Sequence, residues 1–149
     1  MINDDLKLRG DVAIVLKDKD GKVKESCEIN NLVVSAGLTY ICSRMADASA
    51  GVMSHMALGS GTTAAAAGDT DLESILGSRE ALDSTTASSN TITYVSSFEA
   101  GEGTGAVTEA GIFNAATSGT MLCRTVFAVV NKQADDTMSV TWTITLTAS

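Results

Sequence analysis

Residues that could carry acid–base or nucleophilic chemistry are scarce in this 149-residue sequence. His55 is the single histidine, so a serine or cysteine nucleophile would have to use it as the base. No G-x-S-x-G turn is present, and one histidine cannot supply an H-E-x-x-H pair or a multi-histidine metal site. We expect His55 to be a packed or exposed residue of the strand-like segment 53–57, and we predict no catalytic residue.

One glycine-rich segment matches a nucleotide-binding pattern. Residues 59–64 read Gly-Ser-Gly-Thr-Thr-Ala, which is the G-x-G-x-x-A form of the dinucleotide fingerprint. Such a loop should open a helix at once, because the helix N-terminus binds the pyrophosphate. Here further alanines and Gly68 come before any predicted helix, and no P-loop lysine is present. We therefore predict that the glycines of 59–61, like those of 101–105, serve turns or close chain approach, and that no cofactor is bound.

Three glutamates near the second glycine cluster could form an acid–base pair of the glycosidase type: Glu99, Glu102 and Glu109. Carbohydrate enzymes usually also present aromatic platforms, whereas this chain has one Trp, two Tyr and three Phe. The single tryptophan, Trp142, falls on the predicted core face of a strand. We expect the glutamates to be solvated, and we keep a carbohydrate-binding module or hydrolase as an alternative function.

Neither the acidic turn at 18–21 nor the cysteines indicate a metal site. The turn resembles a calcium loop only in part, because placing its glycine at the sixth loop position puts the first ligand position on Leu16. Cys27, Cys42 and Cys123 are odd in number, widely spaced and without a C-x-x-C pair. We therefore predict neither a disulfide framework nor a zinc site, and we expect a reducing compartment.

The first half of the chain predicts a hairpin and two helices. Apolar alternation over 11–17 and 22–34, separated by a turn that contains Asp and Gly, indicates two antiparallel strands. From Ser35, a suitable N-cap, the apolar period becomes helical, and residues 69–76 predict a second helix. The apolar stripe expected to pack the first helix onto a sheet consists of Leu38, Ile41, Cys42 and Met45.

The rest of the chain alternates with period two, which is typical of half-buried strands. In the last such segment, even-numbered residues from Met138 to Leu146 are apolar, and odd-numbered residues from Ser139 to Thr147 are Ser or Thr. The pattern predicts a mainly β protein, an antiparallel β-sandwich with one or two short helices. We expect an N-terminal arm (1–10) and one domain (11–149). Strands are predicted at 53–59, 78–88, 90–99, 106–114, 120–130 and 137–147.

The charge distribution bears on partners. The formal net charge of −8 argues against nucleic acid, because binding phosphates requires an excess of Lys and Arg. Six of the ten basic residues lie within 1–24. Lys7 and Arg9 are predicted to dock on an acidic neighbour, and a solvated hairpin is the alternative reading of this basic segment. Thr141, Thr143 and Thr145 are expected at a subunit boundary or in water. No signal peptide or membrane span is indicated, so we expect synthesis in the cytoplasm and no membrane partner.

Three stretches together resemble small structural proteins of tailed-bacteriophage virions: residues 31–37, residues 53–63, and residues 108–114 leading into 121–127. The middle and last stretches are similar to tail-collar and fibre-attachment domains, which share a Gly-x-Gly-x-Thr loop. They also share a Glu-x-Gly-x-Phe motif, here at Glu109, Gly111 and Phe113. The resemblance covers most of the chain, and its motifs consist mainly of turn glycines and strand residues.

The resemblance implies a non-enzymatic β-sandwich that is present many times on a particle, without catalytic residues, metal or cofactor. The partners it implies are the major capsid protein or other virion proteins, and a homo-oligomer with a trimer favoured. It implies location on the virion after assembly in the cytoplasm of the host bacterium. Because the chain ends shortly after its last strand, without a receptor-binding region, we expect a capsid decoration protein. The alternative is a tail, collar or fibre-attachment protein.

Overall fold

The computed structural model describes residues 5–46 and 50–148, which form nine strands and one helix. The hairpin predicted near the N-terminus, the first helix and the later strands are all confirmed, although segment 78–88 is divided into two strands. The elements in chain order are β1 (Leu6–Lys17), β2 (Val23–Val33), α1 (Ser35–Met45), β3 (His55–Gly59), β4 (Glu80–Ala81), β5 (Ser84–Ser88), β6 (Thr91–Phe98), β7 (Gly105–Phe113), β8 (Met121–Lys132) and β9 (Thr137–Ala148).

All of these strands belong to one antiparallel sheet in the order β4-β3-β7-β8-β2-β1-β9-β6-β5. The sheet curls into a half-barrel, so the mainly β, antiparallel prediction is confirmed, and a division into two stacked layers is not. Strands β2 and β8 are joined at only two residue pairs, Leu32 with Arg124 and Val33 with Cys123. The two halves of the sheet therefore diverge from this narrow junction.

The concave side of the sheet holds the core. Val12, Trp142 and Tyr94 lie side by side on β1, β9 and β6, and each is at most 5% exposed. Their outward-facing sequence neighbours are half-buried, as the alternating pattern predicts. The predicted core position of Trp142 is confirmed, since its side chain is completely buried.

The N-terminal arm predicted at 1–10 is wrong for residues 6–10. Leu6 to Gly10 form the first part of β1 and pair with Ile144 to Ala148 of β9. Residues 6–17 continue a period-two pattern in which Leu6 and Leu8 take the concave side and Lys7 and Arg9 the convex side. The charges of Lys7 and Arg9 concealed this alternation in the sequence. Residues 1–4 of the predicted arm lie outside the described part of the chain.

Helix α1 occurs where it was predicted, but of the apolar stripe expected to pack, only Ile41 contacts the core. Gly37 is the buried residue of the helix, and a Cβ there would overlap the carbonyl of Leu122. Tyr40 and Ile41 also contact the core, whereas Leu38 is 44% and Met45 84% exposed. The helix approaches β8 through its smallest residue, which turns much of the apolar stripe to solvent. Ser35 is the first helical residue, and its hydroxyl does not cap the helix.

The second helix, predicted at 69–76, is absent, and this segment is an irregular loop with one isolated bridge between Gly59 and Ile75. Its backbone donors are used elsewhere: the amides of Glu73 and Ser74 donate to the carboxylate of Glu109 on β7. A buried carboxylate has therefore replaced the i−4 carbonyls that a helix would need.

In the described ranges, no helix is long and apolar enough to cross a membrane.

Candidate functional site

The residues predicted to dock lie together on the convex side of β1 and β9. Arg9 pairs with Thr145, and Lys7 pairs with Thr147 one step further along. Thr143 and Thr141 follow on the same face, because their neighbours Trp142 and Ile144 point into the core. Residues that are more than 130 positions apart in sequence are thus brought onto one surface by the β1–β9 register.

This surface continues onto β6, which the sequence reasoning missed. Thr91 pairs with Thr145 and Thr93 with Thr143, and the hydroxyl oxygens of Thr93 and Thr143 are 3.3 Å apart. The signal was available, since Thr91 and Thr93 alternate with Ile92 and the buried Tyr94. We define the outer polar face as Arg9, Asp11, Thr91, Thr93, Thr141, Thr143 and Thr145.

A shallow cavity of about 470 Å³ opens on the outer polar face between β2, β1 and β9. Arg9, Asp11 and Glu28 contribute its charged groups, and Thr141 and Thr143 its hydroxyls. The guanidinium of Arg9 is already paired with Asp11 at 3.0 Å, and both side chains are largely exposed. An exposed pair of this kind contributes at most about 1 kcal/mol, so it can exchange partners readily. The surface therefore offers balanced charges and hydroxyls rather than a purely basic patch.

A second polar cluster lies inside the fold, around Arg124 of β8. Its side chain is 3% exposed and contacts the completely buried Glu109 at 2.8 Å and Asp69 at 2.8 Å. Glu73 is a more distant partner at 3.7 Å. Glu109 also accepts hydrogen bonds from the backbone amides of Gly61, Glu73 and Ser74. The Arg124 cluster, which we define as Arg124, Glu109, Asp69 and Glu73, thereby fastens the loop between β3 and β4 to the sheet.

The contacts of the Arg124 cluster hold the loop between β3 and β4 against the sheet. The Glu109 carboxylate accepts three backbone hydrogen bonds as well as those of Arg124, so its oxygens are occupied by donors that hold the loop against β7 and β8. Glu99 and Glu102 belong to a separate loop, where the Glu102 carboxylate accepts the Glu99 amide hydrogen at 2.8 Å. No contact among the described residues joins either of them to Glu109. The structure therefore does not bring the three glutamates together as an acid–base pair. The expectation that they are solvated is wrong for Glu109, which is completely buried.

A buried lysine forms a third polar cluster that the sequence did not indicate. The Nζ atom of Lys132 donates to the carbonyl oxygens of Glu99 and Asp136, at 2.9 Å and 2.6 Å. Burial lowers the pKa of this ammonium group. The Asp136 carboxylate accepts from Lys24 at 2.7 Å, and this contact lowers the pKa of Asp136. These bonds tie the β8–β9 turn to β2 and to the loop that follows β6.

The stability of the protein should fall in acid because three carboxylates, those of Asp69, Glu73 and Asp136, have lowered pKa values. Hydrogen bonds from the amides of Ala66 and Thr63 lower the pKa values of Asp69 and Glu73, and Lys24 lowers that of Asp136. A lowered pKa means that the folded state binds fewer protons than the unfolded chain. The stabilisation is therefore complete above the ordinary carboxyl pKa of about 4 and is lost as the pH falls through the lower, folded-state values.

Urea denaturation followed between pH 7 and pH 2.5 checks this expectation. The midpoint should decline below about pH 4, where carboxylates of ordinary pKa become protonated. The decline should be shallower in Asp69→Asn, which has one fewer such group. A midpoint that is constant or rises in acid would contradict the assignment.

His55 contacts a neighbouring serine, with 2.8 Å between the Ser54 hydroxyl and Nδ1 of the ring. In the described part of the chain, no carboxylate hydrogen-bonds the other ring nitrogen. Three thiols are free, with Cys123 buried and Cys42 exposed. Burial raises the pKa of the Cys123 thiol, which disfavours the reactive thiolate.

The glycines of the fingerprint-like loop allow close approach of the chain, as predicted. A Cβ at Gly59 or Gly61 would meet the side chain of Glu109. In the second cluster, Gly101, Gly103 and Gly105 all have positive φ, as the turn prediction required.

In residues 5–46 and 50–148, no three His, Cys, Asp or Glu side chains are grouped so that they could hold a metal ion.

Comparisons with known proteins found no match: no family model, no curated protein and no solved structure matches this chain.

Proposed function

We propose that this protein is a non-enzymatic structural component of a tailed-phage virion, and more specifically a capsid decoration protein bound to the major capsid lattice. The observation that carries the proposal is the outer polar face. There the docking residues predicted from sequence, Arg9, Thr141, Thr143 and Thr145, share one surface with Thr91 and Thr93. The fold is mainly β, as expected for such proteins. That its strands pack as a two-layer sandwich is a further part of the proposal.

The shape and chemistry of this face suit a protein partner with many weak contacts. Threonine side chains are short and lose little conformational entropy when they are covered, and their hydroxyls can both donate and accept hydrogen bonds. The Arg9–Asp11 pair is exposed and can exchange partners with charged groups on a neighbour. Lys7 makes no ion pair with the described residues and lies at the edge of this face. We propose that it meets a carboxylate of the neighbouring subunit.

The composition of the particle tests the proposal. Virions made from a genome that encodes this chain should contain it, and quantitative mass spectrometry should find it at a copy number proportional to that of the major capsid protein. A low copy number, as expected at a single vertex, would favour a tail, collar or fibre-attachment protein instead. Absence of the chain from purified virions would overturn the virion assignment.

Two further parts of the proposal have their own readouts. Sedimentation of the purified chain should show a homo-oligomer, with a trimer favoured. The alternative from a different class, a carbohydrate-binding module or hydrolase, predicts signals in a glycan array or a hydrolysis screen, and we expect none.

A further inference from the structure

The half-barrel has an apolar opening beneath helix α1, away from the outer polar face. It is a cavity of about 330 Å³ between the helix and the concave side of the sheet. The cavity exists because α1 touches β8 closely at Gly37, while the C-terminal end of the helix leaves Met45 at the rim, 84% exposed. Its aliphatic wall consists of Leu8, Ile41, Ile92, Leu122, Ile144 and Leu146.

The volume of this cavity sets the size of a fitting ligand. Water takes about 30 Å³ per molecule in the liquid, and a methylene group is of similar size. By that measure, 330 Å³ accommodates an unbranched chain of roughly ten carbons. Burying such a chain is favourable, because each methylene that is removed from water contributes to binding.

Three side chains that can donate hydrogen bonds lie beside this aliphatic wall. Arg44 lies at the cavity, and its guanidinium donates to the carbonyl of Ala50 but makes no ion pair with a described residue. Tyr40 and Tyr94 also line the cavity, and neither hydroxyl hydrogen-bonds within the described ranges. Burial raises the pKa of Tyr94, so its hydroxyl stays protonated and remains a donor. A cation and two phenolic donors beside an apolar cavity are complementary to an anion with an apolar tail.

We propose that this cavity binds a medium-chain fatty acid anion, with the alkyl chain against the aliphatic wall. The carboxylate accepts hydrogen bonds from Arg44 and from the phenolic hydroxyls. This ligand site does not depend on the proposed virion function. It shares none of the residues of the outer polar face, so a copy of the protein could bind its ligand and a neighbouring subunit through separate surfaces.

Calorimetric titration of the purified full chain with decanoate and with decanol, both below their aggregation concentrations, tests the proposal. We expect saturable binding of decanoate. Arg44→Gln should weaken decanoate roughly tenfold or more, because it removes a charged hydrogen-bond donor, and should leave decanol binding unchanged. Equal weakening of both ligands, or no effect on decanoate, would contradict the role of Arg44.

A pair of substitutions on the same helix locates the ligand. Ile41→Trp places a large ring in the cavity and should abolish binding of both ligands. Leu38→Trp adds the same ring on the exposed side of α1 and should leave binding intact. Circular dichroism shows whether each variant is folded. Absence of decanoate binding by the unmodified chain, or an equal loss in both tryptophan variants, would overturn the proposal.

Discussion

Trp142→Ala is expected to lower the free energy of unfolding by roughly 3–5 kcal/mol, which is the usual cost of truncating a buried aromatic residue to alanine. The indole is completely buried and lies between Val12 on β1 and Tyr94 on β6. Its removal would leave a void at the centre of the curled sheet. The strands that meet there are hydrogen-bonded on both sides, so they cannot easily collapse into the space.

Urea denaturation of the variant gives this quantity directly. Thr143→Ala is the matched control, because Thr143 is the next residue on the same strand and points to the outer polar face. The control should change the free energy of unfolding by less than about 1 kcal/mol, as is usual for surface substitutions. Similar midpoints for the Trp142 variant and the control would mean that the assigned register of β9 is incorrect.

Arg124→Ala should cost a similar amount, roughly 3–5 kcal/mol, because it leaves the buried carboxylate of Glu109 without its cation. Glu109 is the most affected, since it is completely buried and 2.8 Å from the guanidinium. The loop between β3 and β4 would lose one of its attachments to β8. We therefore expect faster proteolysis of residues 60–79 in addition to the lower stability.

Two comparisons separate burial of charge from loss of packing. Arg9→Ala removes an exposed arginine from its pair with Asp11 and should cost less than about 1 kcal/mol. In a double-mutant cycle, Glu109→Gln combined with Arg124→Met should be less destabilising than the sum of the single variants, because no unpaired charge of that pair remains. Strict additivity would contradict a coupled Arg124–Glu109 pair.

The strands were predictable because their side chains alternate between two environments. In β9, Thr and Ser alternate with large apolar residues over the whole strand, so the pattern fixes both the element and the inward face. Residues 6–10 follow the same alternation, but Lys7 and Arg9 made the segment look like a separate arm. A charged residue on the convex side of a strand is fully compatible with pairing.

The second helix, and most of the packing face of the first, were mispredicted for reasons that lie outside their own sequences. Segment 69–76 has helical spacing, but Glu109, more than 30 residues later, takes its amide donors. Helix α1 packs through Gly37, because a glycine lets the helix approach the β8 backbone more closely than a leucine would. Local patterns cannot report such long-range contacts.

The predicted docking residues were found on one strand at a time, whereas the surface is formed by strand pairing. Thr141, Thr143 and Thr145 were recognised in β9, but Thr91 and Thr93 join them only through the β6–β9 register. The apolar cavity was not foreseen at all, because its wall comes from five elements that are distant in sequence.

Occupancy on the particle is the most direct test of the proposed function. Virions lacking the chain would be supplied with the double variant Thr93→Arg and Thr143→Arg, which adds two bulky cations at the centre of the outer polar face. The matched control, Thr104→Arg with Thr117→Arg, makes the same change at exposed loop positions outside that face. With both variants folded by circular dichroism, we expect the control to reach the occupancy of the unmodified chain and the outer-face variant to be depleted from virions. Full occupancy of the outer-face variant would contradict docking through this surface.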